Sequence, residues 1–439
     1  MQQNYAWKQL DKVIREDSAF QPIEMLLISL ITIMFVASSR SLNIIATRGS
    51  STTNTLGRNG SKYFANLSMS SNSAYPKRLA IVKDKKTDEQ RVDESNRVKR
   101  CIQFLDSSPE PFHCVNTVIA KLSAAGFARI DESCLWRETK SIKRGGKYFF
   151  TRNGSTIVAF TVGFLFKSGS SGYKVIGAHT DSPNLKLKPR TKRSANGVTQ
   201  LSVEAYGGGL WHTWFDRDLS IAGRVIIRAV SAAGDVSFQH RLVKIDRSVL
   251  RVPNLCIHLR TPDERDAFKV NKEDHLVPIL CDHIEKTMTG SVNKEGEDKA
   301  SDEESEADQW VSEQQPELLS LLAEELKCDS ADIVDFELSL YDTQGAATSG
   351  YRNEFLCGSR IDNLASCFVA VEALEDHALD LSNDEDVSIV ALFDHEEVGS
   401  GSNPGAGSTI MRDAVSRISN SLDSVEGKDS ELFKAELSK

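Results

Sequence analysis

The chain is short of the features that would assign it to several large classes. Eight cysteines are scattered as Cys101, Cys114, Cys134, Cys256, Cys281, Cys328, Cys357 and Cys367, with no C-x-x-C among them. That spacing argues against a zinc–cysteine cluster and a disulfide framework, and favours a reducing compartment. Surplus positive charge is also missing. A formal net charge of −9 gives no basic face for phosphate backbones, so no nucleic-acid partner is expected. Long apolar runs are absent as well. The longest, "MLLISLITIMFVASS" at 25–39, is apolar for about a dozen positions, whereas a membrane span needs roughly 20. No stable membrane insertion is therefore expected.

A fourth absence is local. From Met25 to Lys83 there is no Asp or Glu, while Ser, Thr, Asn, Lys and Arg abound. A signal-like apolar core followed by an acid-free, Ser-rich basic stretch reads as an organelle-targeting leader, for a plastid or a mitochondrion, although the charges before Met25 fit that poorly and the alternative is an extended gene start with no targeting role. Residues 1–90 are accordingly set apart from the fold.

The remaining sequence has the pattern of a globular α/β protein. "NRVKRCIQFLDSSPEPFHCVNTVIAKLSAAGFARI" carries apolar residues at helical spacing on both sides of Pro109 and Pro111, predicting two helices. "KYFFTRNGSTIVAFTVG" predicts two strands about an Asn153-Gly154 turn. "YKVIGAHTDSP" reads as a buried strand running into a loop. Short strand-like runs such as "GRVIIRAV" and "DVSFQHRLVKI" dominate 189–345, with an acidic, solvated tract at 293–310. "LASCFVAVEALEDHAL" then predicts a helix and "DVSIVALFD" a buried strand. Alternating strands and helices, interrupted by a β-rich block, give an α/β layer with an insertion.

Three segments could carry chemistry. In "GAHTDSP", His179 and Asp181 are two apart just past an apolar strand, so an extended backbone would turn both to one face. In "SRIDNLASC", Asp362 stands at a helix entry, where an ordinary N-cap is the simpler reading. In "FDHEEVGSG", Glu396 and Glu397 follow an apolar run that would form a central strand. Carboxylates at such a place are costly unless a cation is near. Together these groups form a nitrogen–oxygen donor set without thiolate, which suits zinc, manganese or cobalt. One glutamate would bind metal, leaving the other to move a proton from water to a leaving amine.

"GAHTDSPNLKLKP", "YGGGLWHTWFDRDLSIAGRV", "NKEDHLVPIL", "RIDNLASC" and "DHEEVGS" resemble, in order and spacing, the aspartyl aminopeptidases, a family of dinuclear zinc peptidases. The resemblance runs from about Val92 to Ile418. It implies a three-layer α/β/α catalytic domain with an inserted β-rich dimerisation domain. The catalytic domain would occupy 91–188 and 346–439, and the insertion 189–345. It also implies removal of N-terminal Asp or Glu from peptides through a zinc-activated water, in a homo-oligomer ranging from dimer to dodecamer.

Carried over by position, His179 and Glu397 would bind zinc and Asp362 would bridge two ions. Glu396 would be the general base, and Asp181 would orient His179 and assist catalysis. His258, in "NLCIHLR", would reach a neighbouring subunit's substrate. "GGGLWHTWFDRDL" would be structural, and Lys186, Lys188 and Arg190 would be surface charge. The family's two later ligands, an aspartate and a histidine, find no match, since His395 is the last of nine histidines. The catalytic domain is thus expected to be truncated at the C-terminus, and the alternative function is a non-catalytic assembly subunit. By family the location would be cytoplasmic.

Overall fold

The computed structural model describes residues 88–139, 142–167, 169–231, 234–282 and 310–422. The expected leader up to residue 87 and the acidic tract from 293 to 309 lie outside the described residues. The chain forms two units, Met1–Asn96 and Arg97–Lys439. The described part of the first, 88–96, is helical.

The predicted helix pair is present as α1 (Asp88–Asp106) and α2 (Pro111–Ala124). Pro111 opens α2, where a missing N–H costs nothing, and the Glu110 carboxylate accepts the N–H groups of Phe112 and His113. After β1 (Ala128–Arg129) and the short α3 (Trp136–Thr139) comes the hairpin of β2 (Lys147–Arg152) and β3 (Thr156–Val162). Asn153 and Gly154 both have positive φ, 56° and 72°, and they turn the chain where Arg152 pairs with Thr156. β4 (Tyr173–His179) follows.

A connection of four residues, 180–183, leads into β5 (Asn184–Ala195), β6 (Val198–Tyr206), β7 (Leu219–Val230) and β8 (Val236–Lys244). Then come α4 (Pro262–Asp266), β9 (Ile279–Asp282), α5 (Pro316–Leu326), β10 (Ile333–Asp342) and the small hairpin β11 (Ala347–Ser349)–β12 (Phe355–Cys357). The chain returns through α6 (Ile361–His377), β13 (Val387–Phe393) and α7 (Ile410–Leu422).

The first sheet has the order β1-β2-β3-β13-β4, and the second β8-β7-β10-β5-β6-β9. Side chains of β3 and β13 alternate between two cores, as the period of two requires. Ile157, Ala159, Val390 and Leu392 pack with α1, α2 and α6. Val158, Phe160, Val162, Ile389 and Ala391 pack with Trp136 of α3 and with Ile410, Ala414 and Ile418 of α7. Helices on both faces make this part a three-layer α/β/α structure. A third core joins the second sheet to α5 through Leu318, Leu319, Leu322 and Leu326.

One expectation is corrected. β4 is not a buried strand but the edge of its sheet, paired in parallel with β13 alone among the described residues. Val175 and Ile176 are 51% and 48% exposed. An apolar run records affinity for a sheet and carries no information about whether a second neighbour is present. Only the C-terminal end, Ala178 and His179, is buried. Because β4 belongs to the first sheet and β5 to the second, the connector carrying Asp181 runs from one sheet to the other.

Phe160 is fully buried on β3 and touches the rings of Trp136 and Tyr148, at centroid distances of 6.5 and 5.4 Å. Phe160→Ala should cost about 3–5 kcal/mol in urea unfolding. A loss below about 1 kcal/mol would mean that this face of the sheet is not a packed core.

Candidate metal centre

His179 ends β4 and is buried. Its Nδ1 lies 2.9 Å from the Asp181 carbonyl and 3.4 Å from Asp181 Oδ1. A proton held on Nδ1 by that carbonyl leaves Nε2 to offer its lone pair. Nε2 faces two acids, Asp362 Oδ1 at 3.4 Å and Glu396 Oε2 at 3.8 Å. The His179 backbone is held too, its carbonyl accepting from the buried Cys367 thiol at 3.1 Å.

α6 is kinked at its start: Asp362 (φ −80°, ψ 109°) and Asn363 (φ −121°, ψ 20°) are non-helical, so the regular turns begin near Leu364 and Asp362 stands at their entry, as the sequence suggested. Its carbonyl accepts from Ser182 Oγ at 2.8 Å, and its side chain, 59% exposed, approaches His179.

Glu396 and Glu397 open a single 3₁₀ turn, Glu396–Val398, which follows β13 after Asp394 and His395. His395 before it and Gly399 after it both have positive φ, which bends the chain sharply at each end. Both glutamate N–H groups donate to Asp181, Glu396 N to Oδ1 at 3.2 Å and Glu397 N to Oδ2 at 3.0 Å. Tyr206 Oη donates to the same Oδ2 at 2.7 Å. Ligand atoms of His179, Glu396 and Glu397 all lie within 4.8 Å of one another.

Sequence reasoning thus named His179, Asp181, Asp362, Glu396 and Glu397, and the structure brings these five side chains together. The finer picture differs in one respect, since Glu396 stands as near to His179 as a ligand would. His258 is not in the group; it lies on an exposed turn, Ile257–Leu259. Lys186, Lys188 and Arg190 are paired with Glu337, Glu273 and Glu313. Two residues were missed. Tyr206 stood in plain view at a strand end before three glycines, and Asp394 is a buried acid whose Oδ1 accepts the His395 N–H at 2.8 Å.

Electrostatics agree with a cation site. Four carboxylates, those of Asp181, Asp362, Glu396 and Glu397, surround one imidazole. Burial pushes Glu397 up to about 7; Asp181, Asp362 and Glu396 push the same way and His179 opposes them. For His179, burial works to lower the value, but hydrogen bonds to Asp181 and Asp362 outweigh it and raise it to about 10. Burial opposes ionisation of Asp181 too, yet His179, Tyr206 and the Glu397 N–H hold it below the usual carboxylate range. The Tyr206 phenol is raised far above its ordinary value by burial and by Asp181, so at neutral pH it only donates.

The residues fit zinc. With bonds of about 2.0–2.1 Å, a tetrahedral ion spaces its ligand atoms by roughly 3.3 Å. The spacing from His179 Nε2 to Asp362 Oδ1, 3.4 Å, is close to that, and Glu397 offers a ligand atom within 4.8 Å of one of His179. Hard oxygen donors beside one imidazole, in negative surplus, are suitable chemistry for it.

Fold and site together are those of an α/β protein with a candidate divalent-cation centre. Comparison with known proteins narrows this. The chain matches the model of the aminopeptidase I zinc metalloprotease family, M18, over residues 104–438. It is 42% identical over 348 residues to a probable aspartyl aminopeptidase of Ricinus communis, covering 77% of this chain and 69% of that protein. It is also 42% identical over 338 residues to the aspartyl aminopeptidase of Aspergillus oryzae, covering 75% and 66%. The matched stretch is thus about two thirds of these relatives' length. Among solved structures, the Ape4 and Nbr1 complex determined by cryo-EM is similar at a TM-score of 0.68 and 36% identity, covering 80% of this chain and 63% of that one. The chain belongs to the M18 family of zinc aminopeptidases.

The Glu397 shift has a stability consequence whose sign is definite. Its carboxyl is raised in the folded state from 4.5 to about 7, so the folded protein binds more protons than the unfolded one between those values. Stability is lost as pH rises through that window. Glu397→Gln should therefore stabilise the metal-free protein by on the order of 1 kcal/mol at pH 8, discounted for partial exposure, and not at pH 4.5. Equal effects at both pH values in urea unfolding would show that no such charge surplus exists.

Proposed function

We propose that this protein acts as an aminopeptidase that removes N-terminal Asp or Glu from peptides, with zinc held by His179, Asp362 and Glu397. The observation that carries this reading is the meeting of His179 Nε2 with Asp362 Oδ1 at 3.4 Å, with ligand atoms of Glu396 and Glu397 within 4.8 Å of one of His179. Its choice of acidic residues is supported by the names of the two relatives, both aspartyl aminopeptidases. Bound there, zinc supplies a Lewis acid for the scissile carbonyl and for the attacking water.

The protein's own groups divide the remaining work. His179 presents Nε2 with its ring fixed through Nδ1 by Asp181. Asp362, side chain exposed and 3.4 Å from His179, would be the ligand shared if two ions bind. Glu396 is the general base. Its side chain is 55% exposed, so it can receive a proton from water and pass it to the departing amine. Asp181 stays ionised and orients His179.

Several features are proposed with it. The boundary expected at 188/189 falls inside β5, which lies wholly in the second sheet, so the assembly domain is taken from 184 to 345, inserted between 91–183 and 346–439. The protein works as a homo-oligomer, from dimer to dodecamer. His258 would contact substrate in a neighbouring subunit; its exposed turn, flanked by exposed Leu255 and Leu259, is consistent with burial against a partner. Residues 1–90 would direct the protein to an organelle, in contrast to a cytoplasmic family habit.

Zinc binding and hydrolysis should separate on mutation. Glu396→Gln should retain zinc and lose about 10²–10⁴-fold in hydrolysis of a peptide with N-terminal Asp. His179→Ala should lose both. A wild-type protein that binds zinc and cleaves no such peptide would sink the catalytic reading, and Glu396→Gln at full activity would sink the assigned base.

A further inference from the structure

We infer that Tyr206 and Gly207, at the end of β6, are a positioning pair through which the second sheet sets the geometry of the Glu396–Glu397 turn. The geometry stands on its own; its relevance to zinc rests on the function proposed above.

Asp181 is the point of contact. One of its oxygens takes the Glu397 N–H at 3.0 Å and the Tyr206 hydroxyl at 2.7 Å; the other takes the Glu396 N–H at 3.2 Å. Tyr206 is the only one of these donors that comes from the second sheet. Its ring is itself restrained, since Lys186 Nζ sits 4.4 Å from the ring centroid and is tied to Glu337 at 2.9 Å. A phenol held in this way fixes the carboxylate plane, and the carboxylate plane fixes two successive amides of the turn.

Gly207 reaches the same turn by packing. With φ of +75°, it would place a Cβ 2.9 Å from Glu397 Cβ and 3.5 Å from Glu397 Oε2. No side chain fits there without displacing Glu397. Two adjacent residues of one strand end therefore bear on both partners of the contact, Tyr206 on the acceptor and Gly207 on the glutamate.

A general packing role for Tyr206 is the competing account, and Tyr341 provides the comparison. It lies on β10 of the same sheet, is buried, and donates its hydroxyl to the Ile245 carbonyl at 2.7 Å, away from Asp181. Amide hydrogen exchange in the metal-free full chain reads the turn directly. Tyr206→Phe should speed exchange at Glu396 and Glu397 about ten-fold, because a hydrogen bond to a charged group is lost, while Tyr341→Phe should leave them as in wild type. Gly207→Ala should have the same local effect and serves if Tyr206→Phe does not fold.

Cobalt gives the second readout. Titration followed by visible absorption should show Co²⁺ bound about ten-fold more weakly by Tyr206→Phe, with an altered spectrum, and normally by Tyr341→Phe. Unchanged exchange in Tyr206→Phe and Gly207→Ala, or equal acceleration in Tyr341→Phe, overturns the inference. If wild type binds no Co²⁺, the metal reading fails, and the exchange comparison still decides the positioning role.

Discussion

The Asp181 carboxylate is the contact on which the site depends. It is fully buried, and a buried anion is tolerated only when its lone pairs are satisfied. Here the donors come from three places in the chain: the imidazole at the end of β4, two amides after β13, and a phenol at the end of β6. Each strand end is thereby located relative to the other two. The first sheet contributes the imidazole and the amides, the second contributes the phenol, and the acid sits on the connector between the sheets. The site is therefore a property of both sheets and cannot be assigned to either alone.

The same cluster is unfavourable without a cation. Glu397 held at about 7 means that ionising it costs free energy in the folded protein, and three neighbouring carboxylates share the cause with burial. A protonated His179 offsets part of that repulsion through Asp181 and Asp362. A divalent ion would take over this role with more charge and would remove the His179 proton in doing so. The arrangement has the character of a binding site, with local stability given up for affinity.

Much of this was legible in the sequence, for identifiable reasons. The β2–β3 hairpin announced itself through Asn153-Gly154, and α6 and β13 through periodicities that burial imposes directly. His179, Glu396 and Glu397 were legible because polar groups stood where apolar strands ended. What was not legible depends on neighbours distant in the chain. The exposure of β4 follows from which strands flank it. Asp362 stands at a helix entry, as its sequence context suggested, and only the fold shows that its side chain approaches His179. Tyr206 reads as an ordinary strand aromatic until the fold brings its hydroxyl to Asp181. The glycines after it looked structural, and Gly207 is so in a specific sense, since it admits Glu397.

Why the chain sets two glutamates side by side follows from the turn they occupy. A 3₁₀ turn rotates successive side chains by about 120°, so adjacent carboxylates diverge and can take different tasks around one point. The first amides of any helical turn also lack internal acceptors. His395, in the position before the turn, supplies no side-chain cap. Asp181 supplies it from 215 residues away. The acid that orients the imidazole is therefore also the cap of the turn that carries the glutamates, and loss of either relation would loosen both. One buried charge thereby makes the metal ligand and the proposed base a single mechanical unit.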